Sequence, residues 1–480
     1  MDFDVIVVGA GPGGSSLATF LSRRGFSTLL LDKAVFPRDK VCGDGITPHA
    51  LCWLEALGCA DEVLAETNSC ITSGDIYVNG EHILTGSFPQ DSVYPGFCTL
   101  LERKKLDHIL LRNAVRNGAV FKPDCFVKEV RWLDDGVAVS ARTDGRNVNF
   151  KGKLLVGADG ANSIVSRSIG NVLRDGATAV SLRCYYTGVE AKGSQIQIYF
   201  DERFFPGYGW VFVDDSGKAN VGFGYSFDKN FPNKGNLKGI FKDFVETDLK
   251  DQLKNATPAG APAGWWASFF KPKSMVADRV MLIGDAANLT DPINGAGIHK
   301  AMESAYMASL TAVEALTSGD FSRQSLQMYE NIWSERAELD WRVGEFMLSI
   351  AKNPSLKELY LFMLKAIAGI AKGDVRFQDF CGGIFTGVIP ASECISPFTL
   401  LDVVPFDPGA WLSAIGPLDG GKGVASRAVA VSRDILKMTV RVAASPLSNL
   451  GWGLEMLNKA AALSGCYAES LSNRLSRDML

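Results

Sequence analysis

Gly9, Gly11 and Gly14 stand at the spacing G-x-G-x-x-G, directly after the apolar run Asp4-Val-Ile-Val-Val and ahead of a helix-prone stretch reaching Arg24. Strand, glycine turn and helix in that order make a dinucleotide site. Gly9 permits the tight turn, Gly11 lets the backbone approach a pyrophosphate, and Gly14 lets the helix pack close on its strand. Pro12 and Gly13 complete the turn, and the amides at the helix start face the phosphates. Asp32 ends a second apolar strand 18 residues beyond Gly14, where an acid accepts a ribose hydroxyl. Another apolar strand stops at Gly157-Ala-Asp159-Gly160, which aims its acid beyond the carboxyl edge of an open sheet, where ligands bind. Asp285 follows Gly284 at the end of a buried run from Arg279, and Pro292, Gly295, Ala296 and Gly297 lead into a helix. The first amides of that helix are suited to an anionic ring edge.

The elements that must position these residues follow in order. After Asp32-Lys33 the chain runs Phe36-Pro-Arg38-Asp-Lys-Val-Cys42-Gly43-Asp-Gly45, too rich in Gly and Pro for helix or strand. Loops so placed carry function. Thr47-Pro48 starts a helix through Leu57, and residues 71–100 alternate around an Asn-Gly pair, which reads as a hairpin. A helical stretch from Leu101 to Leu111 carries Arg103, Leu106 and Asp107. Residues 171–275 are β-like, with aromatic clusters at Phe204 to Phe212 and at Gly264-Trp265-Trp266 expected to floor an apolar pocket. Beyond residue 335 the pattern is mainly helical (335–373, 422–442, 449–475), with a Pro-rich loop at 388–408. The apolar run Leu359 to Lys372 suits a buried cap over a substrate pocket or a patch resting on a membrane, the cap being the commoner case.

The expected architecture is therefore α/β. A Rossmann-like dinucleotide domain (1–70, 101–170 and 276–335) is interleaved with a substrate-binding sheet domain (71–100 and 171–275) and followed by a helical region (336–480). A chain of 480 residues with 47% hydrophobic and 21% charged residues is ordinary for a globular enzyme. A net charge of -4 without long basic blocks argues against nucleic acid. The sequence opens directly on a strand, and no apolar run reaches the roughly 20 residues that span a bilayer. A cytoplasmic location follows as the expectation, with membrane contact only at a surface. Ten cysteines without a C-x-x-C pair and four histidines give no metal pattern, and most of the thiols are expected to be reduced core residues.

Four blocks together, Gly9 to Gly14, Arg103 with Leu106 and Asp107, Gly157 to Gly160, and Gly284 to Ala287 with Pro292, Gly295 and Gly297, resemble the single-component FAD fold of the p-hydroxybenzoate hydroxylase superfamily. Within it, Pro37-Arg38-x-Lys40-x-Cys42-Gly43-x-Gly45 and Tyr208-x-Trp210-x-Phe212 look like the geranylgeranyl reductase family, whose members saturate isoprenoid double bonds with reduced FAD. The family usually follows the aromatic motif with Pro, where this chain has Val213. The resemblance implies that the glycine turn with Lys33, Arg38, Cys42 and Gly43 surrounds FAD, that Asp32 holds the adenosine ribose, and that Arg103 and Asp159 with Gly160 flank the pyrophosphate. It also implies that Asp285 binds the ribityl chain and that amides near Ala296 and Gly297 face the flavin edge where reduction places negative charge. Cys42 would stand beside flavin and substrate as a proton donor or a packing residue, while Tyr208 and Trp210 would shape an apolar tunnel. The partner implied is a small apolar substrate. No second dinucleotide fingerprint occurs, so electrons come from NAD(P)H, ferredoxin or a flavin reductase. The same fold hosts monooxygenases and halogenases that work through a flavin hydroperoxide. Against halogenation, Tyr208-Gly-Trp210-Val-Phe212-Val213 replaces that family's paired tryptophans.

Overall fold

The computed structural model describes residues 2–405, apart from 91, 172–177, 191–192, 194, 228–229, 231–234, 268 and 270–273, together with residues 446–478. The helical stretch expected at 422–442 lies outside the described residues. The chain divides into two compact units, one of Met1–Thr67, Leu101–Thr178 and Trp266–Glu338, the other of Asn68–Leu100, Ala179–Trp265 and Leu339–Leu480. The C-terminal helices group with the second unit. Among the described residues no helix is long and apolar enough to cross a membrane.

In the first unit the main sheet runs in the order Val276–Ala277, Val280–Leu282, Arg146–Gly157, Phe3–Val8, Thr28–Leu31, Val120–Lys122. Its central pairs are parallel. That is why Val5 to Val8 and Leu29 to Leu31 read as unbroken apolar runs: a parallel strand is covered on both faces. The register sets Leu31, Val8, Gly157 and Leu282 in one row. Gly9, Asp32, Asp159 and Asp285 therefore all leave the same carboxyl edge, where open α/β sheets bind ligands. The helix Pro12–Ser22 packs on Ile298–Ser318 and Arg103–Arg116.

The second unit is built on a sheet ordered Thr257–Pro258, Ala179–Thr187, Ala219–Ser226, Gly207–Val213, Gln195–Phe200, Ser73–Val78, Glu81–Ser87. Asn79 and Gly80, with φ of 51° and 77°, make the turn of its edge hairpin, the pair of left-handed residues such a turn favours. Strand alternation separates two faces. One face buries Phe204, Val211 and Phe223 with Phe241 and Phe244 of the helix Leu237–Thr247. On the other, Ile198, Phe200, Tyr208, Trp210 and Phe212 pack with Tyr360, Leu361, Leu364 and Ala368 of the helix Lys357–Ala371 and with Phe385. The apolar run Leu359 to Lys372 is thus largely a cover for the sheet within this unit. Two expectations change. Phe204 lies on the face opposite Tyr208, and Trp266 is 52% exposed, so neither joins one aromatic floor. Within the Pro-rich stretch, Ser396 caps a short helix Pro397–Val403, because Pro at the first helical position sacrifices no hydrogen bond.

Trp210 sits opposite Gly222 in the sheet. A Cβ at Gly222 would lie 2.3 Å from the Trp210 ring and 2.7 Å from the Leu182 carbonyl oxygen. The indole thus occupies the place of a missing side chain, with its Nε1 donating to Asn220 Oδ1 at 2.9 Å. Gly222→Ala is expected to cost about 1–3 kcal/mol through overpacking and to lower the thermal unfolding midpoint by several degrees. An unchanged midpoint would contradict this packing.

Candidate functional site

The site begins at the turn after the first strand. Gly9 has φ of 103°, and a Cβ there would stand 2.3 Å from the Ala158 carbonyl oxygen. A Cβ on Gly14 would stand 1.8 Å from the Gly9 carbonyl oxygen. Both positions exclude any side chain. At Gly11 the nearest atom to such a Cβ is Arg38 Nη2 at 3.7 Å, and at Gly160 nothing lies within 4 Å. Here the backbone faces open space, as an approaching ligand requires. Pro12 opens the helix and has no N–H, so the unpaired donors of the first turn are the amides of Gly13 and Gly14.

Asp32 is buried at the end of the second strand. Its Oδ2 accepts from the Ala10 amide and its Oδ1 from the Ala34 amide, each at 2.8 Å. The carboxylate braces the glycine turn, and each oxygen keeps a lone pair for a ribose hydroxyl. Asp159, just beyond the strand Arg146–Gly157, also braces the turn that follows it. Ser163 Oγ donates to its Oδ1 at 2.5 Å and the Ile164 amide to its Oδ2 at 2.7 Å, so it holds the first turn of the short helix Ile164–Ser168, whose N-cap is Ser163. Burial pushes its carboxyl up against these bonds.

The loop from Phe36 to Gly45 brings a charged cluster to this edge. Asp107 is fully buried and accepts from Arg103 Nε at 2.7 Å and Nη2 at 2.8 Å, while Arg38 Nη1 lies 2.7 Å from its Oδ2. Burial works to raise the Asp107 carboxyl, but Arg103, Arg38 and Lys40 hold it below the usual range. One carboxylate cannot neutralise two guanidinium groups, and the excess lies with Arg38 beside Gly11, where a pyrophosphate belongs. Lys40 Nζ pairs with Asp285 Oδ2 at 3.2 Å, and Thr290 Oγ1 donates to Asp285 Oδ1 at 2.9 Å. Burial again opposes the charge, and Lys40 with the Thr290 hydroxyl keeps the Asp285 carboxyl low. Asp44, with φ of 65°, accepts the Leu101 amide on its carbonyl and the Arg103 amide on Oδ1.

Cys42 stands partly exposed in this loop. Burial pushes the thiol up, and Arg103 pulls against it. Gly43 follows it, while Lys33 points to solvent. At the far end of the sheet edge, Gly284 and Gly295 have φ of 56° and 70°, and the Ser304 hydroxyl accepts the Gly284 amide at 3.0 Å. Pro292 is buried. The Ala296 amide donates to Asn294 Oδ1 at 2.8 Å, so the helix-start donors left beside Asp285 are those from Gly297 onward. A Cβ on Gly297 would lie 3.4 Å from Asp285 Oδ1. His299 stacks on His49 with centroids 5.0 Å apart, and burial holds it neutral, far below its ordinary pKa. It is a packing residue.

Sequence reasoning missed Lys40, Thr290 and Ser304 as site builders, and gave Asp107 no role beyond its motif. Lys40 had a signal in the P-R-x-K-x-C spacing; the two hydroxyl residues had none. Tyr208 and Trp210 belong to the second unit. Trp210 is nearly buried with its indole N–H satisfied, whereas Tyr208 is half-buried among Phe200, Trp210 and Phe385.

A family model described as FAD binding domain matches residues 2–346. The open turn at Gly11 and Gly160, the cation beside it, and Asp32 and Asp285 on one edge fit that cofactor. Digeranylgeranylglycerophospholipid reductase 2 of Methanopyrus kandleri is 29% identical over 345 residues, 70% of this chain and 83% of that protein. Conditioned medium factor receptor 1 of Dictyostelium discoideum is 26% identical over 411 residues, 82% of this chain and 79% of the relative. Among solved structures, a geranylgeranyl bacteriochlorophyll reductase-like protein from Thermoplasma acidophilum aligns with a TM-score of 0.67 and 24% identity, covering 86% of this chain and 98% of the other. A flavin-dependent brominase aligns with a TM-score of 0.65 and 18% identity, covering 91% and 99%; these two likenesses establish the fold. With the family match spanning most of its length and the glycine turn, Arg38 and Asp285 built around one dinucleotide edge, the chain belongs to the FAD binding domain family and is an FAD-dependent oxidoreductase.

Proposed function

We propose that the protein reduces carbon–carbon double bonds of a prenyl or other apolar unsaturated substrate. Bound FAD, once reduced, supplies the hydride. The observation that carries the reading is the position of Cys42, in the same loop that brings Arg38 and Lys40 to the dinucleotide edge; desolvation raises its thiol, which favours the protonated form. Saturation of an alkene needs a proton at one carbon as well as hydride at the other, and a neutral thiol can give it. Arg38 and the first amides of Pro12–Ser22 would hold the pyrophosphate, Asp32 the ribose, and Asp285 the ribityl hydroxyls.

The second unit supports an apolar substrate. Its sheet presents Tyr208, Trp210 and Phe212 to the helix Lys357–Ala371 with few polar groups among them, as long-chain ligands require. Phe398, Leu401, Leu454 and Leu457 are exposed on C-terminal helices, which supports contact with a lipid surface that would deliver such a substrate. The reduced cofactor would be regenerated by NAD(P)H or by a protein donor such as a ferredoxin or flavin reductase.

The test is anaerobic. Protein reduced under argon should have its flavin absorbance restored on adding a geranylgeranyl lipid, as the lipid gains two hydrogens. Oxygen-dependent product without anaerobic turnover would replace the reading with a monooxygenase or halogenase, and lipid binding without turnover would make the protein a receptor. Cys42→Ala should keep its flavin and lose at least about tenfold in turnover; full turnover would return Cys42 to packing. Asp285→Ala should purify with much reduced flavin absorbance, and full occupancy would refute its assigned role. Because the acid form of Cys42 is the working one and its pKa is raised, wild-type turnover should stay level through neutral pH. It should fall only as pH rises past the ordinary thiol range; a loss already at neutral pH would contradict the protonated thiol.

A further inference from the structure

The ion pair Lys40–Asp285 joins the irregular loop to the far end of the sheet edge. Lys40 Nζ lies 3.2 Å from Asp285 Oδ2, and the two side chains keep 23% and 21% of their surface exposed, so the pair stands at the wall of the site and is not sealed in the core. The other oxygen of Asp285 accepts from Thr290 Oγ1 at 2.9 Å, and a Cβ on Gly297 would lie 3.4 Å from that oxygen. The carboxylate therefore sits against the start of the helix Ile298–Ser318. Arg38 and Arg103, the other cations of the cluster, are bound to Asp107. We propose that Lys40 is a positioning residue that acts through Asp285 to raise the reduction potential of the bound flavin, cancelling the carboxylate's charge where the reduced ring becomes negative. The inference rests on the reading of Asp285 as the acid that holds the ribityl hydroxyls.

The signs of the charges call for such a counter-ion. Hydride uptake from a nicotinamide donor brings two electrons and one proton, so a flavin that was neutral gains one net negative charge. The first amides of Ile298–Ser318 favour that charge. Asp285 opposes it: a carboxylate is the acceptor that hydroxyls prefer, but an ionised one at the same helix start repels an anionic ring. Lys40 resolves the conflict. The pair is neutral as a whole, so the acceptor oxygens stay while the repulsion is cancelled. Burial works to raise the Asp285 carboxyl, and Lys40 with Thr290 holds it low, as an ionised pair requires. The oxidised ring carries no charge for Lys40 to act on, and an interaction felt in one redox state alone moves the potential.

The experiment measures the midpoint potential of the bound flavin under argon against a reference dye, at a mildly alkaline pH where even a raised carboxyl is ionised. Wild type, Lys40→Gln and the double variant Lys40→Met/Asp285→Asn are loaded with FAD and freed of excess. Lys40→Gln should favour reduced over oxidised flavin at least about tenfold less, a potential about 30 mV more negative. The double variant removes both charges as a unit and should return most of the way to wild type. An unshifted potential in Lys40→Gln would overturn the proposal. So would an equal shift in the double variant, which would make Lys40 act on the ring without Asp285. A folded Lys40→Gln that takes up no FAD would overturn it as well, making Lys40 a ligand of the oxidised cofactor. If Lys40→Gln does not fold, the double variant decides: a potential near wild type supports the neutral pair, and one tenfold or more lower in the same sense refutes it. If the double variant cannot be loaded, Lys40→Gln decides alone. The potential is read without any alkene, so it is independent of turnover. Full flavin occupancy in Asp285→Ala would instead refute the ribityl reading.

Discussion

One buried carboxylate governs the dinucleotide edge. Asp107 has no exposure to water, and a charge so placed must be paired or it destabilises the fold; stripping a partner from such a pair costs about 3–5 kcal/mol. Its partners come from two directions. Arg103 lies one turn earlier on the same helix, and Arg38 comes from the loop after the second strand. The loop from Phe36 to Asp44 has no regular structure to define its path, so these ion pairs, with the Asp44 bonds to Leu101 and Arg103, fix it. Lys40 and Cys42 are positioned as a consequence. The Arg103–Arg116 helix packs in turn on Pro12–Ser22, so the charge cluster and the phosphate turn share one rigid support.

Most of the first unit could be read from the sequence because its signals are local or periodic. The apolar runs at Val5 to Val8 and Leu29 to Leu31 became parallel strands, Gly9 and Gly14 lie where no side chain fits, and Thr47-Pro48 capped a helix as expected. Asp32 and Asp285 stand at strand ends, as the apolar runs before them imply. Asp159 has a local role that its place at a strand end does not reveal. Its position at a strand end was right, but Ser163 and the Ile164 amide, a few residues on, capture both oxygens. The Arg38–Asp107 and Lys40–Asp285 pairs join residues far apart in the chain. No spacing rule reports such pairs, since any surface lysine or aspartate has the same local pattern. In the second unit the period-2 pattern revealed strands but not which face each aromatic would take. Phe204 lies in the loop before its strand and turns to the face opposite Tyr208.

The two units divide the chemistry unequally. The first concentrates buried charge, where geometry decides whether each group binds, braces or transfers a proton. The second withdraws polar groups from its helix-covered face. Trp210 could have offered an indole N–H there, but Asn220 takes it, and Gly222 leaves the ring room to lie flat against the sheet. A ligand against such a face is retained by buried area and shape. Discrimination on that basis is modest, about 1–3 kcal/mol for each methylene that fits or fails to fit. On the proposed function, the face would select a class of apolar molecule more sharply than a chain length. A finer choice of substrate must arise where a polar group of the ligand meets one of the protein. By contrast, the loop that carries Cys42 is held by the pairing of Arg38 with Asp107 and of Lys40 with Asp285, so its position depends on buried charge and not on apolar area.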